Sequence, residues 1–113
     1  MSFWLAEDLR AGPGQGFTLY LGCNKTVEGV MLRNTHGAKW RDSGTNRFKI
    51  LGSLNEDGPW QELLEESLED SRHQDPPPVE QFVFSQPSVV SFIKFELLDY
   101  WDTGGGLQYF SVN

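Results

Sequence analysis

The stretch NRFKILGSLNEDGPW, residues 46–60, decides how the rest of this chain is read. Phe48 and Ile50 alternate with Arg47 and Lys49 like a half-buried strand running on to Ser53. The segment Asn55-Glu56-Asp57-Gly58-Pro59 then turns the chain, and Trp60 opens the next element. Asp57-Gly58 beside alternating residues is a hairpin signal, because glycine accepts the positive φ that tight turns need. Two strands and a turn are therefore expected here, with Trp60 as an anchor.

The same pattern recurs on both sides. Phe17 to Leu21, between Gly16 and Gly22, reads as a strand, and Val27 to Arg33 as a second whose two faces are both apolar, as in a central strand. Arg47 to Gly52 and Trp60 to Leu64 follow as the third and fourth. Gln81 to Phe84 and Val89 to Leu98 supply two more, and Leu107 to Val112 closes the chain. Glu62 to Asp70 is helical in composition, with Leu63, Leu64 and Leu68 among acids, although a strand followed by a turn fits the same residues. Asn34 to Gly44 and Tyr100 to Gly106 read as loops, and Pro76-Pro77-Pro78 as a stiff connector that has no N–H for a sheet. Seven short strands at turn-separated spacing predict an all-β, antiparallel two-layer sandwich or jelly roll. Its core is expected to draw on Trp4, Phe17, Leu19, Phe48, Ile50, Trp60, Phe84, Ile93, Phe95 and Phe110.

Composition narrows the function. The 113 residues suit one domain, residues 1–113, with a single core. Aromatics make up 13% of the chain, and 12 Gly with 6 Pro punctuate it as many turns require. A formal net charge of −7 leaves no electrostatic footprint for a phosphate backbone, so nucleic acid is excluded as a partner and an anionic membrane is disfavoured. Cys23 stands alone, so no intrachain disulfide forms, and beside Gly22 it reads as a small buried residue. The opening MSFWLAED has neither a basic n-region nor a sustained apolar run, so the expectation is a chain without a signal peptide: cytosolic, or a domain cut from a longer secreted parent.

Several segments, in order, resemble the discoidin (coagulation factor 5/8 type C, galactose-binding-like) family. Trp4 followed by Gly16-Phe17-Thr18-Leu19-Tyr20-Leu21-Gly22 is similar to the family's tryptophan and the strand that ends in Leu-Gly. Val27 to Val30, Arg33 to His36, Thr45 to Trp60, Pro87 to Phe95 and Gly106 to Val112 continue the likeness over nearly the whole chain. The resemblance implies a jelly roll that recognises surfaces and sugars. It departs from the family at the start, because the chain begins at about the family's tryptophan. The strand and loop that precede it in relatives, and a closing-strand Glu, are missing here. Those parts help build a structural calcium site in many relatives, so the expectation is no tight calcium site, or a weak one near Asp42, and no cofactor. The missing strand also implies an open sheet edge near Phe3 and Leu5, covered by a homodimer or by a partner's strand.

Loops on a rigid sandwich provide recognition. Sugar binding needs polar groups that fork onto adjacent hydroxyls, with an aromatic face for the apolar side of the ring. The loop from Asn34 to Gly44 contains that set: Arg41 and Asn34 as donors, His36 and Lys39 as further partners, and Trp40 as a platform. Tyr100 and Trp101 form a second candidate, as ligand contacts or as packing against the opening strand, and the flanking Asp99 and Asp102 argue against anionic lipid. There is no nucleophile elbow and no metal-ligand spacing of His and Cys, and His36 and His73 lie in different loops. The sequence thus reads as a non-catalytic module binding carbohydrate or a glycoprotein. A protein-interaction or scaffolding domain is the alternative, and phospholipid binding a more distant one.

Overall fold

The computed structural model describes residues 4–5, 16–34, 43–69, 78–102 and 106–113. Six strands run in order: β1 (Trp4–Leu5), β2 (Gly16–Asn34), β3 (Ser43–Ser53), β4 (Gln61–Ser67), β5 (Val79–Asp102) and β6 (Gly106–Val112). All pairs are antiparallel, in the order β1-β6-β2-β5-β3-β4.

This single ladder makes a two-layer sandwich by folding over itself. At roughly 3.3 Å per residue, a straight β2 of 19 residues would run about 60 Å and β5 still further. The molecule is only 39 Å in its longest dimension, so both strands must bend. The bends fall where β2 and β5 lose register, between Tyr20 and Lys25 and between Val27 and Gly29. Gly22, with φ of 91°, relieves the first, and the Ser91 hydroxyl hydrogen-bonds the Asn24 carboxamide across it. At the second, Val27 faces Ser88 while Gly29 already faces Val83, so residues 84–87 loop out of the ladder. Phe84 uses that excursion to enter the core, and Pro87, lacking an N–H, sits where no ladder bond is required. Gly29 permits the close approach: a Cβ there would lie 2.2 Å from the Phe82 carbonyl oxygen.

One layer therefore holds β1, β6, the second half of β2 and the first half of β5. The other holds the first half of β2, the second half of β5, β3 and β4. Aromatic contacts join them: Phe17 meets Phe110 edge-on at 5.3 Å, and Phe48 meets Phe82 at 5.4 Å. Of the expected core, Phe48, Ile50, Phe84, Ile93, Phe95 and Phe110 are buried, and Phe17 and Leu19 pack against them. Trp60 is a correction, being only half-buried and outside that cluster, and the Trp4 side chain lies outside the described residues.

Several expectations need correction. The strands read as Phe17–Leu21 and Val27–Arg33 are halves of one, as are Gln81–Phe84 and Val89–Leu98, because the backbone stays extended through each bend even where the pairing shifts. Of the two readings of Glu62–Asp70, the strand is the one that forms: residues 61–67 are β4, which runs on past Leu64 to Ser67. Leu51 faces Glu62 and Ile50 faces Leu64, so Leu63 is an extra residue that bulges into the core beside Leu64. Two adjacent inward leucines look helical in sequence for that reason. The hairpin itself forms as read, with Gly58 at φ of 91° donating its N–H to the Asn55 carbonyl at 3.1 Å. Cys23 is exposed rather than buried, since it lies on the outside of the first β2 bend. Finally, β1 stands at one end of the sheet order and, among the described residues, pairs on one side alone: Trp4 with Leu107 and Leu5 with Gly106.

Candidate functional site

Because β2 and β5 each run out and back, the strand ends gather at two poles. At one pole, β2 ends at Asn34 and β3 begins at Ser43, while β5 ends at Asp102 and β6 begins at Gly106. Ser43 pairs with Asp102 and Asn34 with Leu107, so the 35–42 and 103–105 segments leave from neighbouring roots. The sheet thereby brings together the roots of the two stretches singled out in the sequence.

Asn34 ties these roots. Its carboxamide Nδ2 donates to the Thr45 carbonyl at 2.8 Å, and its Oδ1 accepts the Thr45 N–H at 2.9 Å. A longer contact of 3.4 Å runs from Nδ2 to the Glu69 carbonyl. Asn34 is 1% exposed and Thr45 fully buried. The sugar-donor role expected of Asn34 is thus corrected: its polar atoms face inward and close the base of the loop, because a buried peptide group needs partners. His36, Lys39, Trp40 and Arg41 lie outside the described residues.

Tyr100 and Trp101 are corrected too, since both belong to β5 rather than to a loop, facing Thr45 and Gly44. Tyr100 packs against the core, and its N–H donates to its neighbour Asp99 at 2.9 Å. The Trp101 side chain lies outside the described residues. Asp99 also accepts a 2.8 Å bond from the Asn46 carboxamide, at a bulge where Thr45 faces Tyr100 but Arg47 faces Asp99. Among the acids of β4, Glu62 pairs with Lys49 at 3.1 Å and Glu65 with Arg47, which accounts for both as partners of β3 cations. Among the described residues, no three His, Cys, Asp or Glu side chains converge as a metal site would require.

Two further groups at this pole escaped the sequence reading. The Glu69 N–H donates to the Glu80 carboxylate at 3.1 Å, stapling the two ends of the proline-rich connector. Partial burial raises the Glu80 carboxyl above the ordinary carboxylate range, and the Glu69 charge adds to this, while the Glu69 N–H bond opposes it. With the folded value above the unfolded one, the folded state binds the proton more tightly. Stability from this group therefore increases as pH falls through the interval between those two values. Glu80→Gln, which keeps an acceptor for the Glu69 N–H, should leave the melting temperature at pH 7 unchanged or higher. It should also remove part of the acid-side gain seen in the parent chain. Thermal melts of both proteins between pH 4 and pH 7 check this, and a large loss at pH 7 would show that the charge itself is needed.

No protein-family model matches the chain, and no curated protein matches it in sequence. Solved structures do match it in fold. The first family 32 carbohydrate-binding module of a family 31 glycoside hydrolase from Clostridium perfringens superposes with a TM-score of 0.75 at 14% identity, over 98% of this chain and 75% of that one. The family 32 module of NanJ from Clostridium perfringens, solved with galactose, gives 0.72 at 15% identity over 92% and 69%. Chitosan-binding module 2 of a chitosanase/glucanase from Paenibacillus sp. IK-5, solved with chitotriose, gives 0.63 at 17% over 89% and 72%. The chain thus shares the galactose-binding-like jelly roll of these carbohydrate-binding modules.

Proposed function

We propose that this chain is a non-catalytic carbohydrate-recognition module of discoidin type that binds a glycan through the pole bearing the 35–42 segment. The observation that carries the reading is the fold likeness, over 92% and 89% of the chain, to modules solved with galactose and with chitotriose. The local chemistry supports it. Trp40 offers a stacking face, and His36, Lys39 and Arg41 offer forked or pointed donors on one short segment. The stapled roots at Asn34, Thr45 and Glu69 supply the rigid base that pre-organised binding needs.

A glycan array followed by calorimetry on the best hit tests the reading. Trp40→Ala and Arg41→Ala should each weaken binding by about tenfold or more, the scale of a lost aromatic or arginine anchor. Unchanged affinity in both variants, or an array on which nothing is retained, would overturn it. One observation favours a second reading, in which a partner's strand is added. Among the described residues, β1 pairs only with the first two residues of β6, leaving the rest of that edge without a described strand. Protein capture with no glycan retention would favour that alternative.

A further inference from the structure

At the opposite pole, the β3–β4 turn and the bend of β5 enclose a cleft of about 260 Å³. This is just under the roughly 300–1,000 Å³ of typical small-molecule sites, and so suits one sugar ring. Trp60 forms one wall, and Leu54 and Val89, 52% and 56% exposed, form apolar lips. Ser53, Asn55 and Gln61 complete the lining with polar groups.

Three features indicate a ligand rather than an accident of the turn. The Lys94 ammonium sits 4.2 Å from the Trp60 ring centroid and is not part of the cleft lining. It holds the ring in one orientation without occupying the cleft. Ser53 lines the cleft and is 4% exposed, and its oxygen accepts the Asn55 N–H at 3.1 Å, a bond that does not use its hydroxyl hydrogen. The Asn55 and Gln61 amides stand on exposed backbone at the rim, each carrying both donors and an acceptor. A fixed indole face beside hydroxyl and amide groups is the complement of a pyranose, with its apolar C–H face and its rim of hydroxyls. None of the lining side chains is charged, and Glu56 and Asp57 lie in the adjoining turn. With Lys94 engaged by the indole and outside the lining, these groups suit a neutral sugar better than a uronic acid.

We propose that this cleft is a second saccharide-binding site for a neutral pyranose, separate from the 35–42 pole and independent of it. Two such sites at opposite ends would let one module engage two chains or two stretches of one chain, raising avidity without new contacts.

The test is a titration of the isotopically labelled full chain with galactose, glucose, mannose, N-acetylglucosamine and glucuronic acid, followed by amide and indole resonances. At least one neutral sugar should produce saturable shifts at the Trp60 indole N–H and at the Asn55 and Gln61 amides. Those shifts should persist in Trp40→Ala, weaken by about tenfold or more in Trp60→Ala, and be weaker by a similar factor for glucuronic acid. Should Trp60→Ala fail to fold, the exposed pair Asn55→Ala and Gln61→Ala gives the same readout. Silence at these three residues with every neutral sugar overturns the proposal, whatever happens at the 35–42 pole. Shifts there alone would leave the proposed function standing and remove only this second site.

Discussion

Replacing Phe95 by alanine should cost about 3–5 kcal/mol in urea unfolding, the range for a large aromatic removed from a packed core. Phe95 is fully buried in the second half of β5, where the two layers face each other. It stacks on Phe17 at 5.3 Å and on Phe48 at 5.6 Å within its own layer, and meets Phe110 of the other layer edge-on at 6.3 Å. One truncation thus opens a void bordered by both layers, which neither sheet can close without moving backbone that is held by ladder bonds. Against a total stability of about 5–15 kcal/mol, this loss would leave a marginal domain. The control is Val83→Ala: Val83 is 70% exposed on the outer face, and its change should stay within about 0.5 kcal/mol. A loss below about 1 kcal/mol for Phe95→Ala would mean that the ring does not join the layers.

The second large effect is expected at Asn34. Asn34→Ala strips two hydrogen bonds from the buried Thr45 peptide and the longer contact to Glu69, and should cost about 2–3 kcal/mol. Asn34→Asp separates hydrogen bonding from shape. Its carboxylate still accepts the Thr45 N–H but places a charge, 1% exposed in the parent, against the Thr45 carbonyl. Burial would raise that carboxyl above its unfolded value, so the variant should be weakest at neutral pH and recover as pH falls through the interval between the two. Protonation restores a donor toward the Thr45 carbonyl. Melts of Asn34→Asp across pH 4 to pH 7 check the sign, and a flat profile would show that Asn34 is not the clamp described. Glycan affinity should fall in Asn34→Ala even at temperatures where the domain remains folded, because the clamp sets the root of the 35–42 segment. Full affinity in the folded variant would detach the clamp from recognition.

The sequence reading and the fold agree most closely where local chemistry is decisive. The Asp57-Gly58 turn needs positive φ, which glycine accepts, and the alternation of Phe48 and Ile50 fixes which face of β3 turns inward. These signals are carried by neighbouring residues, so no distant contact can hide them. The acidic run after Trp60 leaves two readings open for the opposite reason: a bulge at Leu63 breaks the two-residue period, and adjacent leucines then imitate a helix face.

By itself, then, the sequence determined an all-β antiparallel sandwich, its hairpin and most of its aromatic core, and it singled out the segment on which the proposed recognition rests. All of these follow from periodicity, turn residues and side-chain type. Only the tertiary structure decided that four apparent strands are two long bent ones, that their return brings the 35–42 and 103–105 roots to one pole, and that Asn34 faces inward as a clamp. It alone also set Trp60 against Lys94 beside a cleft at the other pole. Residues 34 and 69, or 60 and 94, are far apart along the chain. Their meeting depends on where the sheet bends and on the register that backbone hydrogen bonds impose across it, which no local pattern records.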